Sequence, residues 1–336
     1  MHLIISRTDA IGDVCLTLPS IGWLKSLFPQ WRITLLVNAY AAPVAQACQW
    51  VDAVAVLPTE MQAPALADWL KPMQADQIVH VFPNRKIAQA AKQAGIAKRS
   101  GVWGRVYHWF NCNDLVWMTR ARSPLHEAQL NVLLLSKLLR LPCPALDSIR
   151  ANAVLWSGID FGLADFSNSS KDILLHPYSR GNGREWPTEF FAELAHLIVK
   201  EGWRPVVGGT ASDAQVFGLH QHLFPTETLV ALGQDSLSGY MQRIADSAAL
   251  VASSTGPLHV ASAMGKPSVG IYAPKPRIDK HRWGAIGPHS CNLQQEATCQ
   301  TACSNRDCLC MRAIQPAVVW QALQAQLTAA SLSRST

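Results

Sequence analysis

The chain has 336 residues, of which 49% are hydrophobic and 15% are charged, so it can bury a large core and is not an intrinsically disordered protein. Lys and Arg number 29 against 23 Asp and Glu, which gives a net charge of +6 without a long basic run. This mild excess argues against a nucleic-acid-binding protein and suits an anionic small substrate or an anionic membrane surface.

No targeting or membrane-spanning segment is visible in the sequence. The first apolar run, Leu3–Ile5, is too short for a signal peptide, and no apolar run reaches the about 18 residues that a transmembrane helix needs. We therefore expect a cytoplasmic protein with mostly reduced cysteines.

Strand and helix patterns alternate from the first residues. Short apolar runs predict strands, and apolar positions three or four residues apart predict helices. In the first half the predicted strands are His2–Ser6, Arg32–Val37, Ala53–Leu57 and Gln77–Phe82, and the predicted helices are Val14–Phe28, Ala41–Trp50, Ile87–Ala94 and His126–Leu139. The alternation weakens between Trp103 and Arg122.

Residues 152–170 contain Gly158, Gly162 and the polar run Ser167–Ser170, and they are predicted to be a linker to a second alternating series. Its predicted strands are Ile173–His176, Arg204–Val207, Thr228–Leu232, Ala249–Ala252 and Ser268–Tyr272, and its predicted helices are Thr188–Glu201, Ala211–Phe224, Leu237–Ser247 and Leu258–Gly265. This rhythm predicts an α/β protein with two Rossmann-like domains. Because G-x-G-x-x-G and P-loop motifs are lacking, a dinucleotide-dependent dehydrogenase and a P-loop enzyme are disfavoured.

Three loops follow predicted strands at the ends where α/β proteins bind ligands: Arg7–Asp13, His176–Pro187 and Ser253–Leu258. In the third loop a buried strand is followed by small hydroxyl residues, a Gly-Pro turn and a helix start. Free amides and the helix dipole at such a start bind phosphate. The alternative is that Ser253 or Ser254 only caps the helix.

Five of the nine cysteines cluster near the C-terminus, at Cys291, Cys299, Cys303, Cys308 and Cys310. Their spacing lacks the paired C-x2-C of strong zinc sites. We therefore expect no metal there, and reduced or locally disulfide-linked cysteines in a surface loop.

The three loops together resemble the glycosyltransferase family 9, which contains the lipopolysaccharide heptosyltransferases. R-x-D-A-I-G-D-V-x-L-T-x-P (Arg7–Pro19) is similar to the family's opening motif. His176–Pro187 resembles its G-x-x-K-x-W-P loop, with Arg184 where lysine is usual, and Ser254–Pro267 resembles its D-T-G-x-x-H-x-A-A-A-x-x-x-P, with Ser254 at the frequent aspartate position. The Cys-rich loop ending at Cys310-Met311 also recurs in similar proteins.

The resemblance implies the GT-B architecture, with residues 1–160 as an acceptor-side domain and residues 171–315 as the nucleotide-sugar-binding domain. It implies a final helix, residues 316–330, that crosses back to the first domain. It further implies inverting transfer without a metal or cofactor, from ADP-heptose to the anionic lipopolysaccharide core. The protein would then lie peripherally on the cytoplasmic face of the inner membrane, with no nucleic-acid partner.

On the acceptor side, the resemblance makes Asp13 the candidate catalytic base for the attacking hydroxyl. The alternative is a helix-capping carboxylate, and Asp9 is the rival base. Arg7 belongs to the same loop.

On the donor side, Arg184 is the candidate cation for the leaving diphosphate, supported by Arg180 in the same loop. The diphosphate and donor sugar would be held by Ser254, Thr255, Gly256, Leu258 and His259. Asp213 resembles the acidic residue that binds the ribose, and a first-turn helix carboxylate is the equal alternative.

The segment Lys98–Arg122 mixes Trp, Tyr and Phe with Lys and Arg, and Arg99 and Arg105 are its acceptor-side candidates. This mixture suits a surface for an anionic glycolipid or for membrane headgroups. Packing of these aromatic residues in the core is the alternative.

Two other functions stay open from the sequence alone. Because Ser254 and Arg184 depart from the family pattern, the chain could be a sugar-nucleotide-binding protein without turnover or with another specificity. A two-domain sugar-nucleotide epimerase would share the architecture, although its signature residues are not evident.

Overall fold

The computed structural model describes residues 1–121, 123–150, 170–179, 181, 183–296, 299, 303–304 and 306–333. The chain divides into two compact units, Met1–Ile159 and Asp160–Thr336. The predicted linker lies outside the described residues up to residue 169.

The first unit contains one parallel sheet of six described strands with the order β3-β2-β1-β4-β5-β6. The strands are β1 His2–Ser6, β2 Arg32–Val37, β3 Ala53–Val56, β4 Gln77–His80, β5 Lys98–Val102 and β6 Asp114–Val116. The helices are α1 Ile11–Cys15, α2 Leu18–Leu27, α3 Ala42–Gln46, α4 Ala63–Leu70, α5 Arg85–Gln93, α6 Val106–Asn111, α7 Glu127–Leu139 and α8 Leu146–Arg150.

The second unit repeats this topology in its described part, with the strand order β12-β11-β10-β7-β8-β9. The strands are β7 Asp172–His176, β8 Arg204–Gly209, β9 Leu229–Leu232, β10 Ala249–Ser253, β11 Ser268–Tyr272 and β12 Ser290–Gln294. The helices are α9 Thr188–Lys200, α10 Ala211–Gly218, α11 Leu237–Asp246, α12 Gly256–Ala263, α13 Lys280–Trp283, α14 Leu309–Arg312 and α15 Pro316–Leu332. Both sheets therefore have the Rossmann strand order, as predicted.

Central strands have buried side chains on both faces because helices cover both sides of each sheet. Leu3, Ile4 and Ile5 of β1 are buried, and all five residues of β10 are buried. Such continuous apolar runs explain why the pattern of these strands could be recognised in the sequence.

The first predicted helix is interrupted. Pro19 lies within the first two positions of α2, where the missing N–H of a proline costs no hydrogen bond. In one continuous helix from α1, Pro19 would lie in the interior, where a proline breaks the hydrogen-bond pattern. The result is a short α1 that ends at Cys15, followed by α2.

Several elements were not predicted. The segment where the alternation weakened contains α6 and β6, and the last edge strand β12 is only half-buried along its length. A strand at the edge of a sheet pairs with only one other strand, so its hydrophobic pattern in the sequence is weak.

The last helix, α15, packs against α9 and the strands β10, β11 and β12. Val319, Trp320 and Leu323 share one core with Trp186 and Phe191. That this helix crosses back to the first domain stays a prediction. None of the helices in the described ranges combines the length and hydropathy required to cross a bilayer.

Candidate functional site

The strand order reverses at one point in each sheet, between β1 and β4 in the first unit and between β7 and β10 in the second. Open α/β sheets bind ligands at the carboxyl ends of the strands at this point. The loop Arg7–Asp13 follows β1, and the two loops singled out in the second half follow β7 and β10. Each candidate loop therefore lies at a switch point.

In the first unit, Arg7 is the centre of a buried cluster of charges. Its Nε lies 2.8 Å from Oδ1 of Asp9, and its Nη2 forms an ion pair with Oδ1 of Asp13. Its Nη1 lies 3.5 Å from Oε1 of Glu127 and donates to Oδ1 of Asn131 at 3.4 Å. One guanidinium thus holds the two candidate carboxylates of the loop side by side.

Burial and neighbouring charges shift the pKa values of Asp9 and Arg7 in this cluster. Burial raises the pKa of Asp9 to about 7, with a further rise from Asp13 and a partial reduction from Arg7. Burial alone would lower the pKa of Arg7, but the charges of Asp9, Asp13 and Glu127 raise it overall. Arg7 therefore stays charged, and Asp9 can carry a proton near neutral pH.

Residues far along the chain complete the cluster, and sequence reasoning missed them. Glu127 begins α7 and is buried, and it also pairs with Arg120. The side-chain amide of Asn131, on α7, donates to the main-chain oxygen of Leu16 at 2.8 Å. This bond connects α7 to the turn between α1 and α2. The signal that the sequence offered for Glu127 was a carboxylate at the start of a strongly apolar helix.

In the second unit, the loops after β7 and β10 are joined by a buried hydrogen bond. The main-chain N–H of Trp186 donates to Oγ of Ser253 at 2.9 Å. The indole Nε1 of Trp186 donates to the main-chain oxygen of Ile314 at 2.8 Å. The Trp-Pro end of the first loop is thereby fixed against the strand that precedes the second.

The two loops also approach each other closely at a glycine. A methyl group placed on Gly183 would lie 3.0 Å from the main-chain oxygen of Ser254. Only a residue without Cβ allows this spacing without displacement. The residue next to Arg184 is therefore in contact with the first residue of the D-T-G-like motif.

The helix α12 begins directly at this contact. Its N-cap is Thr255, and no side chain caps it, so the interpretation of Ser253 or Ser254 as a capping residue is wrong. The amides of Gly256 and Leu258 lie in the first turn of α12, where they have no acceptor within the helix, and can bind an anion. Oγ1 of Thr255 is buried and has no partner among the described residues, and His259 is buried.

The loop Ser179–Pro187 is organised around a buried carboxylate. Oε1 of Glu185 accepts hydrogen bonds from N and Oγ of Ser179 at 2.8 and 3.0 Å, and its Oε2 lies 3.3 Å from Nε of Arg306. Arg184 is half-buried beside it, and Arg180 lies outside the described residues. Glu185 was missed because its partner Ser179 becomes apparent only once the loop is folded.

Asp213 takes part in a capping box at the start of α10. Its Oδ2 accepts from N and Oγ1 of Thr210, both at 2.7 Å. The helix-terminal role of Asp213 is therefore observed, and its binding of a ribose stays a prediction.

The two arginines of the aromatic segment occupy different environments. Arg99 donates to the main-chain oxygens of Ile96 at 2.5 Å and Asn111 at 2.8 Å, and it aligns with Ile4, three residues before Arg7. The structure does not bring Arg99 together with the Arg7 cluster. Arg105 is exposed at the N-cap of α6.

The cysteines are free thiols. Sγ of Cys303 lies 3.3 Å from Sγ of Cys308, next to the arginine that pairs with Glu185. Within the described ranges, no group of three or more His, Cys, Asp or Glu residues is arranged to bind a metal ion.

Comparison with known proteins places this geometry in a family. Lipopolysaccharide heptosyltransferase 2 of Escherichia coli K12 is 24% identical over 308 residues, which cover 82% of this chain and 83% of that protein. The structure of the E. coli ADP-heptose lipopolysaccharide heptosyltransferase II has a TM-score of 0.76 at 20% identity, covering 98% of this chain and 100% of that one. An E. coli heptosyltransferase solved with ADP has a TM-score of 0.70 at 16% identity, covering 97% and 100%.

These solved structures share the fold of the chain, which is the predicted GT-B fold. The sequence profile of glycosyltransferase family 9 (heptosyltransferase) matches residues 117–312, more than half of the chain. The chain therefore belongs to glycosyltransferase family 9 and is a glycosyltransferase.

Proposed function

We propose that the protein transfers a heptose from ADP-heptose to the core of lipopolysaccharide, with inversion at the sugar carbon and without a metal. The observation that carries the proposal is the contact of Gly183 with Ser254, because it joins the Arg184 loop to the open N-terminus of α12. Two relatives are named for transfer of heptose to lipopolysaccharide, and a neighbour of the same fold was solved with ADP.

The donor diphosphate lies at the first turn of α12 in this proposal. The amides of Gly256 and Leu258 bind its oxygens, and the hydroxyl of Thr255 supplies a further hydrogen bond. Arg184 neutralises the charge that grows on the leaving ADP, as a guanidinium can bind two phosphate oxygens at once. Ser254 binds hydroxyls of the donor sugar without adding a charge.

The acceptor hydroxyl is activated at the Arg7 cluster. As its oxygen attacks the sugar carbon from the face opposite to ADP, the carbon–phosphate-oxygen bond breaks and the proton passes to Asp13. Asp9 is held by the same guanidinium, and burial raises its pKa to about 7, so it can receive that proton from Asp13. Arg7 fixes both carboxylates and offsets part of their mutual repulsion.

The acceptor is a glycolipid, so we place the enzyme peripherally on the cytoplasmic face of the inner membrane. The exposed apolar and basic residues near α6 support this assignment.

The test is transfer in a defined mixture. Pure protein is incubated with ADP-heptose and heptose-deficient lipopolysaccharide core, and the product is analysed by mass spectrometry and NMR. A mass increase of one heptose with inverted anomeric configuration is expected. Binding of ADP-, UDP-, GDP- and dTDP-sugars is compared by calorimetry, and a preference for a nucleotide other than ADP, or binding without transfer to the core, would overturn the proposal.

A further inference from the structure

One segment of the first unit holds the chain's excess positive charge. Residues 81–126 include eight Lys and Arg residues and a single carboxylate, Asp114. This segment alone has a net charge of +7, whereas the whole chain has +6. The rest of the chain is therefore slightly negative, and the basic character is local.

The same segment exposes a group of large apolar side chains, here named the aromatic surface: Trp103, Val106, Trp109, Phe110 and Trp117. Phe110 and Trp117 are 68% and 75% exposed. The ring centroid of Trp103 lies 5.3 Å from that of Trp109 and 6.0 Å from that of Trp117. The alternative that these residues pack in the core is wrong, and a contiguous exposed group of this kind marks an interaction site.

Two hydrogen bonds hold the aromatic surface in place. His108 lies on the buried side of α6, and its Nδ1 accepts a hydrogen bond from the main-chain N–H of Val102 at 3.0 Å. The indole Nε1 of Trp109 donates to the main-chain oxygen of Trp103 at 2.8 Å. The apolar side chains are thus presented on a fixed support, so little ordering is needed when a partner binds.

A cavity of about 400 Å³ borders this surface. Val106 and Phe110 form its apolar wall, and Arg85 and Lys92 contribute two exposed cations. Nζ of Lys92 lies 2.8 Å from the main-chain oxygen of Phe110, so the positive charge is adjacent to the apolar side chains. Cations beside apolar groups match a phosphate headgroup next to its acyl chains.

We propose that the aromatic surface is where the protein binds an anionic phospholipid bilayer. The apolar side chains enter the boundary between headgroups and acyl chains, and Arg85 and Lys92 bind a headgroup phosphate. A bilayer is favoured over single-stranded nucleic acid because Val106, 61% exposed at the cavity wall, offers no ring on which a base could stack. This inference rests on the proposed function, because binding to a bilayer would bring the enzyme to its glycolipid acceptor.

The test is co-sedimentation of the full chain with vesicles of phosphatidylcholine alone or with 30% phosphatidylglycerol, without donor or acceptor. We expect at least about tenfold tighter binding to the anionic vesicles, weakened by salt because these charges are screened. Two double variants, Trp109→Ser with Phe110→Ser and Arg85→Gln with Lys92→Gln, should each lose at least about tenfold.

The matched control is Leu219→Ser, which removes a leucine that is 73% exposed in the second unit and should leave vesicle binding unchanged. Circular dichroism verifies folding of each variant, and transfer to a deacylated, water-soluble acceptor should remain at the wild-type rate. Equal loss in the control, equal binding to both vesicles, or tighter binding to a single-stranded oligonucleotide would overturn the proposal. Failure of the proposed function would instead abolish transfer and leave vesicle binding intact.

Discussion

The main-chain N–H of Trp186 and the hydroxyl of Ser253 are joined by a buried 2.9 Å hydrogen bond between two loops that lie 67 residues apart in the sequence. Because Ser253 ends β10 and Trp186 precedes α9, this bond connects the second sequence motif to the strand that leads into the third.

Ser253→Ala should destabilise the second unit by about 1–3 kcal/mol, because the buried N–H of Trp186 loses its acceptor. The measurement is urea unfolding followed by fluorescence. Ser238→Ala, at an exposed position of α11, is the control and should change stability by less than about 1 kcal/mol. Equal stability of Ser253→Ala and the wild type would show that the bond contributes nothing.

Gly183→Ala should weaken donor binding without unfolding the protein. The added methyl group would lie 3.0 Å from the main-chain oxygen of Ser254, so one of the two loops must move by a few tenths of an ångström. Since binding geometry at the phosphate depends on both loops, we expect about a tenfold increase in the dissociation constant for ADP. Gly218→Ala, where an added methyl group meets no atom within 4 Å, should bind ADP like the wild type.

The central strands and the loops after β1, β7 and β10 were predictable, because continuous apolar runs followed by Gly, Ser and Pro are local signals. The partners that shape those loops were not. Glu127 reaches Arg7 across 120 positions, and such a long-range pair leaves no periodic trace in one sequence. The edge strand β12 was missed for a different reason. Its half-buried side chains do not have to be apolar, so no apolar run marks this strand in the sequence.

Asp13→Asn should keep donor binding and lose transfer by about 10³-fold, because an amide cannot accept the proton of the attacking hydroxyl. The measurements are kcat for transfer and calorimetric binding of ADP. Asp9→Asn is the matched comparison, because the same guanidinium holds it. A smaller loss is expected there, with an altered pH profile. If Asp9→Asn removed transfer while Asp13→Asn retained it, the rival assignment of the base would be correct.

Stability should depend on pH through Asp9. Its pKa rises from 3.8 to about 7 on folding, so between these values the folded state holds a proton that the unfolded chain has released. The stabilisation that this proton provides is complete below about pH 4 and is lost as the pH rises through 7. The difference in unfolding free energy between the wild type and Asp9→Asn should therefore decline over this range, by at most about 1.4 kcal/mol per pH unit. Parallel curves in urea unfolding at several pH values would contradict the raised pKa.

Arg184→Gln should lower kcat by about 10²–10³-fold, because the charge on the leaving diphosphate then lacks its cation. Its dissociation constant for ADP should rise less, since the amides at the start of α12 remain. Lys200→Gln, at the exposed end of α9, is the control for loss of one positive charge and should transfer at the wild-type rate. Excess EDTA should leave the wild-type rate unchanged if the guanidinium and the amides supply all the neutralisation. Loss of activity in EDTA, restored by added divalent cations, would show that a metal ion shares the role assigned to Arg184.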